Sequence, residues 1–70
     1  MVTPEELKRR FSYHSPKCDQ PERYEKLRAK ALEFAELIVE STPDSREQAL
    51  ALTHLEEAVM QANAAIARRE

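Results

Sequence analysis

Apolar residues recur at alternating spacings of three and four positions in two long segments of the chain. Spacings of this kind place residues on one face of an α-helix. The pattern therefore predicts two long amphipathic helices, each with one apolar seam. The seam residues are Tyr24, Leu27, Ala31, Phe34 and Ile38 in the first helix, and Leu52, Leu55, Val59, Ala62 and Ile66 in the second.

Start and stop signals set the bounds of these two helices. Residues 20–41 are rich in the helix formers Glu, Lys, Arg, Ala and Leu, and the run ends just before Pro43. Ser45 is followed three positions later by Gln48, which is a capping-box signature for a new helix. We expect helices at about 20–41 and 45–69, joined by a turn so short that they lie antiparallel.

The segment before the first long helix carries its own signals. Thr3 supplies a capping hydroxyl and Pro4 suits the first helical position, so a short helix is expected at about 4–10. Residues 12–19 combine a proline with Ser and Asp and show no apolar periodicity, which indicates a loop. The sequence predicts an all-α fold, one domain over residues 1–70, with a short N-terminal helix followed by an antiparallel helical hairpin.

A hairpin of this size is expected to be only marginally stable as a single chain. A domain of about 60 residues buries only about 60% of the surface that its unfolded chain exposes, so small domains usually need disulfides, metals or partners. The chain has one Cys and two His, which excludes an intrachain disulfide and is too few ligands for a zinc site. We therefore expect a homo-oligomer. A strip of small residues beside the second seam would allow close helix contact: Ala51, Ala58 and Ala65.

Composition excludes several classes of function. The chain has no Gly, and glycine-rich phosphate loops need glycine for close approach of the backbone to phosphate. No apolar run approaches the ~18 residues that span a bilayer. We expect a cytoplasmic protein that uses no metal or cofactor and does not enter a membrane.

The charge is distributed unevenly. Residues 1–30 carry eight basic and five acidic side chains, whereas residues 31–70 carry three and eight. An anion site should therefore draw on the first half. The overall net charge of −2 and the isoelectric point of about 5.7 argue against binding to duplex nucleic acid.

Three polar or aromatic residues do not fit a plain hairpin. Arg28 falls inside the apolar arc of the first long helix, so its charge needs an acidic partner in a neighbouring chain, a route to solvent, or a bound anion. Tyr13 lies in the loop among aromatic residues, where a ring can either cover a core or stack on a base. Asn63 lies near the second seam, where we expect a hydrogen bond that fixes the register of the helices.

Arg46 opens the second long helix, where unpaired backbone amides and the helix dipole favour an anion. It could complete a phosphate site, or it could pair on the surface with Asp44 or Glu47. His14 and Cys18 could be read as a base and a nucleophile, but the sequence offers no third group to orient them and no oxyanion motif. We therefore expect no catalytic residues.

Several segments of this pattern resemble a helical-hairpin family found in phages. These are Phe11-Ser12-Tyr13-His14, the long helix that ends in Thr42-Pro43, Ser45-Arg46-Glu47-Gln48, and the last helix from Leu55 to Arg68. The family includes the anti-CBASS cyclic-nucleotide sponges and resembles the hairpin of the anti-Thoeris sponges. The resemblance covers about residues 11–68.

The resemblance implies binding without catalysis. Such sponges assemble as homohexamers and hold cyclic dinucleotides or trinucleotides in pockets between protomers. Matched residue by residue, Tyr13 would stack on a base of a cyclic dinucleotide, Arg28 would contact its phosphates, and Arg46 would belong to a separate trinucleotide pocket. Arg28 stands where the family has a lysine, and the connection between the long helices is shorter here.

The sequence thus favours a phage-encoded sponge that sequesters cyclic oligonucleotide immune messengers in the host bacterial cytoplasm, with cyclic dinucleotides and cyclic trinucleotides as its expected ligands. Two alternatives stay open. One is a structural or adaptor hairpin that binds another protein. The other is a small nucleic-acid-binding regulator that uses Lys8, Arg9 and Arg10.

Overall fold

A computed structural model describes all 70 residues and contains three α-helices and no strand. Helix α1 is Pro4–Arg10, α2 is Gln20–Ser41 and α3 is Arg46–Arg69. Helices α2 and α3 lie against each other as an antiparallel hairpin, because the first turn of α2 contacts the last turn of α3. The all-α class is confirmed.

Side chains cap the N-termini of α1 and α3. Thr3 Oγ1 accepts a hydrogen bond from the Glu6 backbone N–H at 3.1 Å, and Ser45 Oγ accepts one from the Gln48 N–H at 3.1 Å. The reciprocal half of the predicted capping box is absent, which corrects the expectation for Gln48. Its side-chain amide instead donates to the carbonyl and hydroxyl oxygens of Thr42, at 3.1 and 3.0 Å. Gln48 therefore ties the start of α3 to the end of α2.

The seam between the long helices differs from the predicted one at Phe34. The side chain of Phe34 is 53% exposed, whereas Ala35 is half-buried beside Leu52 of α3. Leu27 and Ile38 are half-buried, as expected for residues of the seam. A helix can approach its neighbour more closely over an alanine than over a phenylalanine, so the small residue takes the central position and the ring lies at the edge.

The hairpin is a flat slab about one helix thick, with principal extents of 44 × 31 × 13 Å. Its radius of gyration is 15.3 Å, whereas a compact domain of this length would have about 11 Å. Its accessible surface is 5845 Å², against about 4,500 Å² for a compact monomer of the same mass. No apolar residue is buried, so the single chain has no enclosed hydrophobic core.

The open end of the hairpin is closed by polar contacts centred on Gln20, the one buried residue of the chain at 4% exposure. Its Oε1 accepts the Lys17 backbone N–H at 3.0 Å, and its Nε2 donates to the Ile66 carbonyl at 3.3 Å and to Glu70 Oε1 at 3.4 Å. The Arg23 guanidinium binds both oxygens of the same Glu70 carboxylate. These hydrogen bonds, first from Arg23 and then from Gln20, lower the pKa of the Glu70 carboxyl.

Helix α1 is attached to the last turn of α3 through Glu6. The Glu6 carboxylate accepts a hydrogen bond from Arg69 and lies 3.9 Å from the nearest side-chain nitrogens of Arg9 and Arg10. The hydrogen bond from Arg69, together with the attraction of the three arginines, lowers the pKa of the Glu6 carboxyl from its ordinary value of 4.5. Glu6 therefore stays ionised near neutral pH and holds α1 against α3.

The contacts of Gln20 predict that Gln20→Ala will destabilise the fold. The change leaves the Lys17 N–H and the Ile66 carbonyl without their partner, and such a loss costs about 1–3 kcal/mol when the groups are buried. Thermal unfolding at one fixed protein concentration measures the effect. Gln61→Ala, a change at an exposed position of α3, is the matched control and should stay within about 0.5 kcal/mol of wild type. Equal melting temperatures for both variants would contradict this assignment of Gln20.

Candidate functional site

A cavity of about 600 Å³ lies where the loop between α1 and α2 crosses the hairpin. Ligand pockets for small molecules span about 300–1,000 Å³, so the volume suits a ligand of nucleotide or dinucleotide size. The cavity is open to solvent. It is lined by the end of α1, the loop, α2 and α3, through Arg10, Ser12, Tyr13, His14, Tyr24, Arg28, Met60, Asn63, Ala64, Ala67 and Arg68.

Tyr13 is positioned by its two neighbours in the loop. The Ser12 hydroxyl donates to the Lys8 carbonyl, and His14 Nε2 lies 2.8 Å from the Arg9 carbonyl oxygen. Because a carbonyl oxygen only accepts, Nε2 donates the proton in this contact. Both contacts tie the loop to the end of α1, while the Tyr13 side chain between them is 85% exposed. Its ring is therefore available for stacking.

Arg28 lies on α2 in the middle of a longer groove. It lines the cavity described above and also the adjoining apolar groove between the long helices, where Leu32 and Val59 lie. The residue is exposed, and no carboxylate of the chain lies within 4.0 Å of its guanidinium. Because the Arg28 side chain reaches solvent, α2 can carry this charge at the edge of its apolar face.

The cavity is positively charged. Three arginines line it and no Asp or Glu does, although the whole chain has a net charge of −2. Glu6, which does not line the cavity, lies 3.9 Å from Arg10 and is also held by Arg69. The local excess of guanidinium groups favours an anionic ligand, and phosphate is an anion whose geometry guanidinium groups match.

Apolar and aromatic groups make up the rest of the lining. Tyr24 of α2 is half-buried, and Met60, Ala64 and Ala67 of α3 present side chains without charge. With Tyr13, these residues place two aromatic rings and an apolar surface beside the arginines. A ligand with flat bases and phosphates could use both kinds of contact, through stacking and through charge-assisted hydrogen bonds.

The structure brings together two of the three predicted site residues. Tyr13 and Arg28 line one cavity. Arg46 begins α3 at the turn end of the hairpin and does not line this cavity. Neither of the carboxylates proposed as its surface partners, Asp44 and Glu47, forms an ion pair with it.

The expectation for Asn63 is wrong. Its Oδ1 atom is buried without a hydrogen-bond partner, so it does not fix the register of the helices. It is instead part of the cavity lining, as are Tyr24 and Arg68, which the sequence did not indicate as site residues. The spacing of Met60, Asn63 and Ala67 places them on one side of α3, but only the position of the loop shows that this side faces a cavity.

Two further observations concern the whole chain. No helix is both long and apolar enough to cross a membrane. No group of three or more His, Cys, Asp or Glu side chains could hold a metal ion.

Comparison with known proteins identifies one family. The model of the Acb2/Tad1 hairpin domain matches residues 3–67, which is nearly the whole chain. Searches of the curated proteins and of the solved structures gave no match.

The environment of Arg28 predicts that Arg28→Ala will leave the melting temperature of the ligand-free protein within about 2 °C of wild type. The change removes an exposed charge that no carboxylate of the chain contacts, and such substitutions usually stay within about 0.5 kcal/mol. Differential scanning calorimetry measures it. A loss of about 3 kcal/mol or more would show that Arg28 instead compensates a buried carboxylate in a neighbouring protomer.

Proposed function

The chain belongs to the Acb2/Tad1 hairpin family, the family of the anti-CBASS and anti-Thoeris sponges, and from this premise we propose that it sequesters cyclic oligonucleotide messengers of bacterial immunity. The observation that carries the proposal is the meeting of Tyr13 and Arg28 in one cavity that no acidic residue lines. In this role the protein acts for a phage in the cytoplasm of the host bacterium.

The proposed mechanism is binding alone. The exposed ring of Tyr13 stacks on a base, which contributes about 1–3 kcal/mol. Arg28 donates charge-assisted hydrogen bonds to a phosphate, and its planar guanidinium can make two parallel bonds where a lysine makes contact as a point charge. The messenger is held and not cleaved, so the host's effector proteins are deprived of their activating ligand.

Arg46 belongs to a second proposed site. It lies at the N-terminus of α3, where backbone N–H groups and the positive end of the helix dipole favour an anion. Two features support the proposal: the match of Arg46 to the family position linked with cyclic trinucleotides, and the lack of an ion pair at this arginine. Arg46 begins α3, whereas the Tyr13 cavity is lined by residues near the other end of α3, so the two proposed sites are separate.

The sponge is proposed to assemble as a homo-oligomer, and a homohexamer by resemblance to the family. The flat chain exposes about 1,300 Å² more than a compact monomer of its mass. Part of the excess is apolar surface, contributed by Phe34 and Leu37 of α2. Ala58 and Ala65 of α3 are also exposed and lie in the strip that would allow close approach of a second copy.

The exposed apolar surface also favours a second candidate, a structural or adaptor hairpin that binds another protein through Phe34 and Leu37. The third candidate, a regulator that binds duplex nucleic acid, has less support. Arg9 and Arg10 of its basic cluster both lie within ion-pair distance of Glu6, which reduces the charge they present to a phosphate backbone.

A depletion assay tests the sponge proposal. The protein is incubated with cyclic di-AMP, cyclic di-GMP, cyclic GMP-AMP, cyclic tri-AMP and cyclic ADP-ribose isomers, then removed by ultrafiltration, and the free messenger is measured. We expect at least one cyclic dinucleotide to be depleted. Tyr13→Ala and Arg28→Ala should each weaken its binding about 10- to 100-fold, whereas Arg46→Ala should spare it.

Lys26→Ala is the matched control for Arg28→Ala, because Lys26 carries the same charge on α2 and lies outside the cavity. If every messenger stays free with the wild-type protein, the sponge proposal is rejected and the adaptor hairpin becomes the leading candidate. If Arg28→Ala binds as tightly as wild type, the role of that residue is wrong.

The assembly proposal predicts that Ala58→Glu will dissociate the oligomer, because the change places a charge in the strip of small residues where a second copy would pack. Multi-angle light scattering at micromolar concentration measures the mass, and the melting temperature should fall with it. Thr53→Glu introduces a negative charge at an exposed position on the other side of α3 and should leave the mass unchanged. A wild-type protein that is monomeric at this concentration would refute the proposal.

A further inference from the structure

We propose that Glu6 is a positioning residue for the ring of Tyr13: its carboxylate holds α1 on the last turn of α3, and α1 holds the loop that carries the ring. The inference rests on the proposed function. It assigns part of the affinity for a cyclic dinucleotide to a residue that does not line the cavity. Glu6 contacts no ligand in this role, so its effect on binding passes through Tyr13.

Helix α1 depends on the rest of the chain for its position. It has seven residues, whereas isolated helices shorter than about 12–15 residues are marginal in water. None of its residues is buried, and the extensive packing between helices is that of α2 against α3. Individual polar contacts therefore decide where α1 lies.

Two side-chain hydrogen bonds join α1 to α3. Arg69 donates to the Glu6 carboxylate, and Arg68 donates to the Arg10 carbonyl oxygen at 3.4 Å. The first bond joins two opposite charges, which makes it the stronger kind. The second is longer than the usual N–H···O distance of about 2.7–3.2 Å. The pair of Glu6 and Arg69 is therefore the main attachment of α1.

The carboxylate of Glu6 is the most enclosed group of α1. Its side chain is 20% exposed, and its Oε2 atom is buried, 3.9 Å from the nearest side-chain nitrogens of Arg9 and Arg10. Burial of a charged oxygen is unfavourable unless positive charge compensates it. Three guanidinium groups surround this carboxylate, but only that of Arg69 belongs to another helix.

The loop is attached to α1 on both sides of Tyr13. The Ser12 hydroxyl donates to the Lys8 carbonyl, and His14 Nε2 lies 2.8 Å from the Arg9 carbonyl oxygen. Both acceptors are backbone atoms of α1. These contacts fix the Tyr13 ring relative to α1, and the position of α1 on α3 then fixes the ring relative to the hairpin.

The other lining residues that matter for binding belong to the hairpin itself. Arg28 lies on α2, and Met60 and Asn63 lie on α3. The separation between the stacking ring and the phosphate-binding arginine is thus set by the attachment of α1. A loop that is already held in its binding position costs less to order when the ligand arrives, and this raises the affinity.

The competing explanation is that the pair of Glu6 and Arg69 only adds stability to the fold. Arg9→Gln is the matched control for Arg69→Gln. Both arginines lie within ion-pair distance of the Glu6 carboxylate, neither lines the cavity, and each change removes one positive charge. Arg9 belongs to α1, so its contact with Glu6 does not attach α1 to another helix.

The ligand-free protein gives a direct measure of the attachment. Heteronuclear NOE values of backbone amides report motion on the picosecond to nanosecond scale. We expect the values over residues 5–15 to fall in Arg69→Gln and in Glu6→Gln, and to stay at the wild-type level in Arg9→Gln. Values over α2 should not change in any of the three variants. Wild-type values over residues 5–15 in Arg69→Gln would overturn the inference.

Binding is measured by isothermal titration calorimetry with the cyclic dinucleotide that the wild-type protein depletes most strongly. We expect Arg69→Gln and Glu6→Gln each to weaken binding about three- to tenfold, the range expected when the ligand must order one more side chain. Arg9→Gln should change it less than about twofold. Wild-type affinity of Arg69→Gln, or equal losses in Arg69→Gln and Arg9→Gln, would overturn the inference while the sponge proposal stands.

A double-mutant cycle shows whether the effect passes through the ring. In a Tyr13→Ala background, Arg69→Gln should change binding less than about twofold, because the side chain that the ion pair positions is absent. A role in stability alone would give no such coupling. Equal losses with and without the ring would overturn the inference and leave the sponge proposal standing, whereas a wild-type protein that binds no cyclic dinucleotide would overturn both.

Discussion

The side-chain amide of Gln20 is the contact on which the rest of the structure depends. Gln20 is the only buried residue of the chain, and its amide joins the loop at Lys17 to the end of α3, where it contacts the carbonyl of Ile66 and the carboxylate of Glu70. Buried amides contribute most when all their hydrogen bonds are made. By fixing the loop to the last turn of α3, this amide determines where the loop crosses the hairpin and hence where Tyr13 lies.

The flatness of the hairpin is the second constraint. A slab about one helix thick cannot enclose a core, so its apolar side chains are shared between the seam and two open faces. The same geometry provides a place for a ligand, because the cavity forms where the loop covers part of one face. Stability and binding thus both depend on what covers these faces, and in the proposed oligomer the neighbouring copies would cover them.

Local signals in the sequence were sufficient for the helical architecture. The caps at Thr3 and Ser45 depend on residues within one turn, and the spacing of Leu27 and Ile38 spans about three turns of one helix, so the sequence displays both directly. Phe34 was predicted to lie in the seam but is exposed. A helical wheel shows which residues form the apolar arc, but not which of them lies closest to the neighbouring helix. That position depends on how closely the helices approach each other, and in this structure Ala35 occupies it.

The candidate site was predictable only in part. Arg28 was identified because its charge breaks the pattern of its own helix, and Tyr13 because aromatic residues are rare in this chain and cluster in the loop. Asn63 was noted near the second seam but was expected to fix the register of the helices, and Arg68 was not identified, since an arginine is ordinary on a helix surface. Their place in the site follows from the contact between Gln20 and Ile66, which are 46 positions apart.

In the proposed function the protein holds a cyclic messenger and leaves it intact. The most direct measurement isolates the complex with a cyclic dinucleotide by gel filtration, denatures the protein and quantifies the released nucleotide by mass spectrometry. We expect the cyclic dinucleotide to be recovered unchanged, in proportion to the protein in the complex. Recovery of a linear product, or the absence of any nucleotide with the protein, would contradict it.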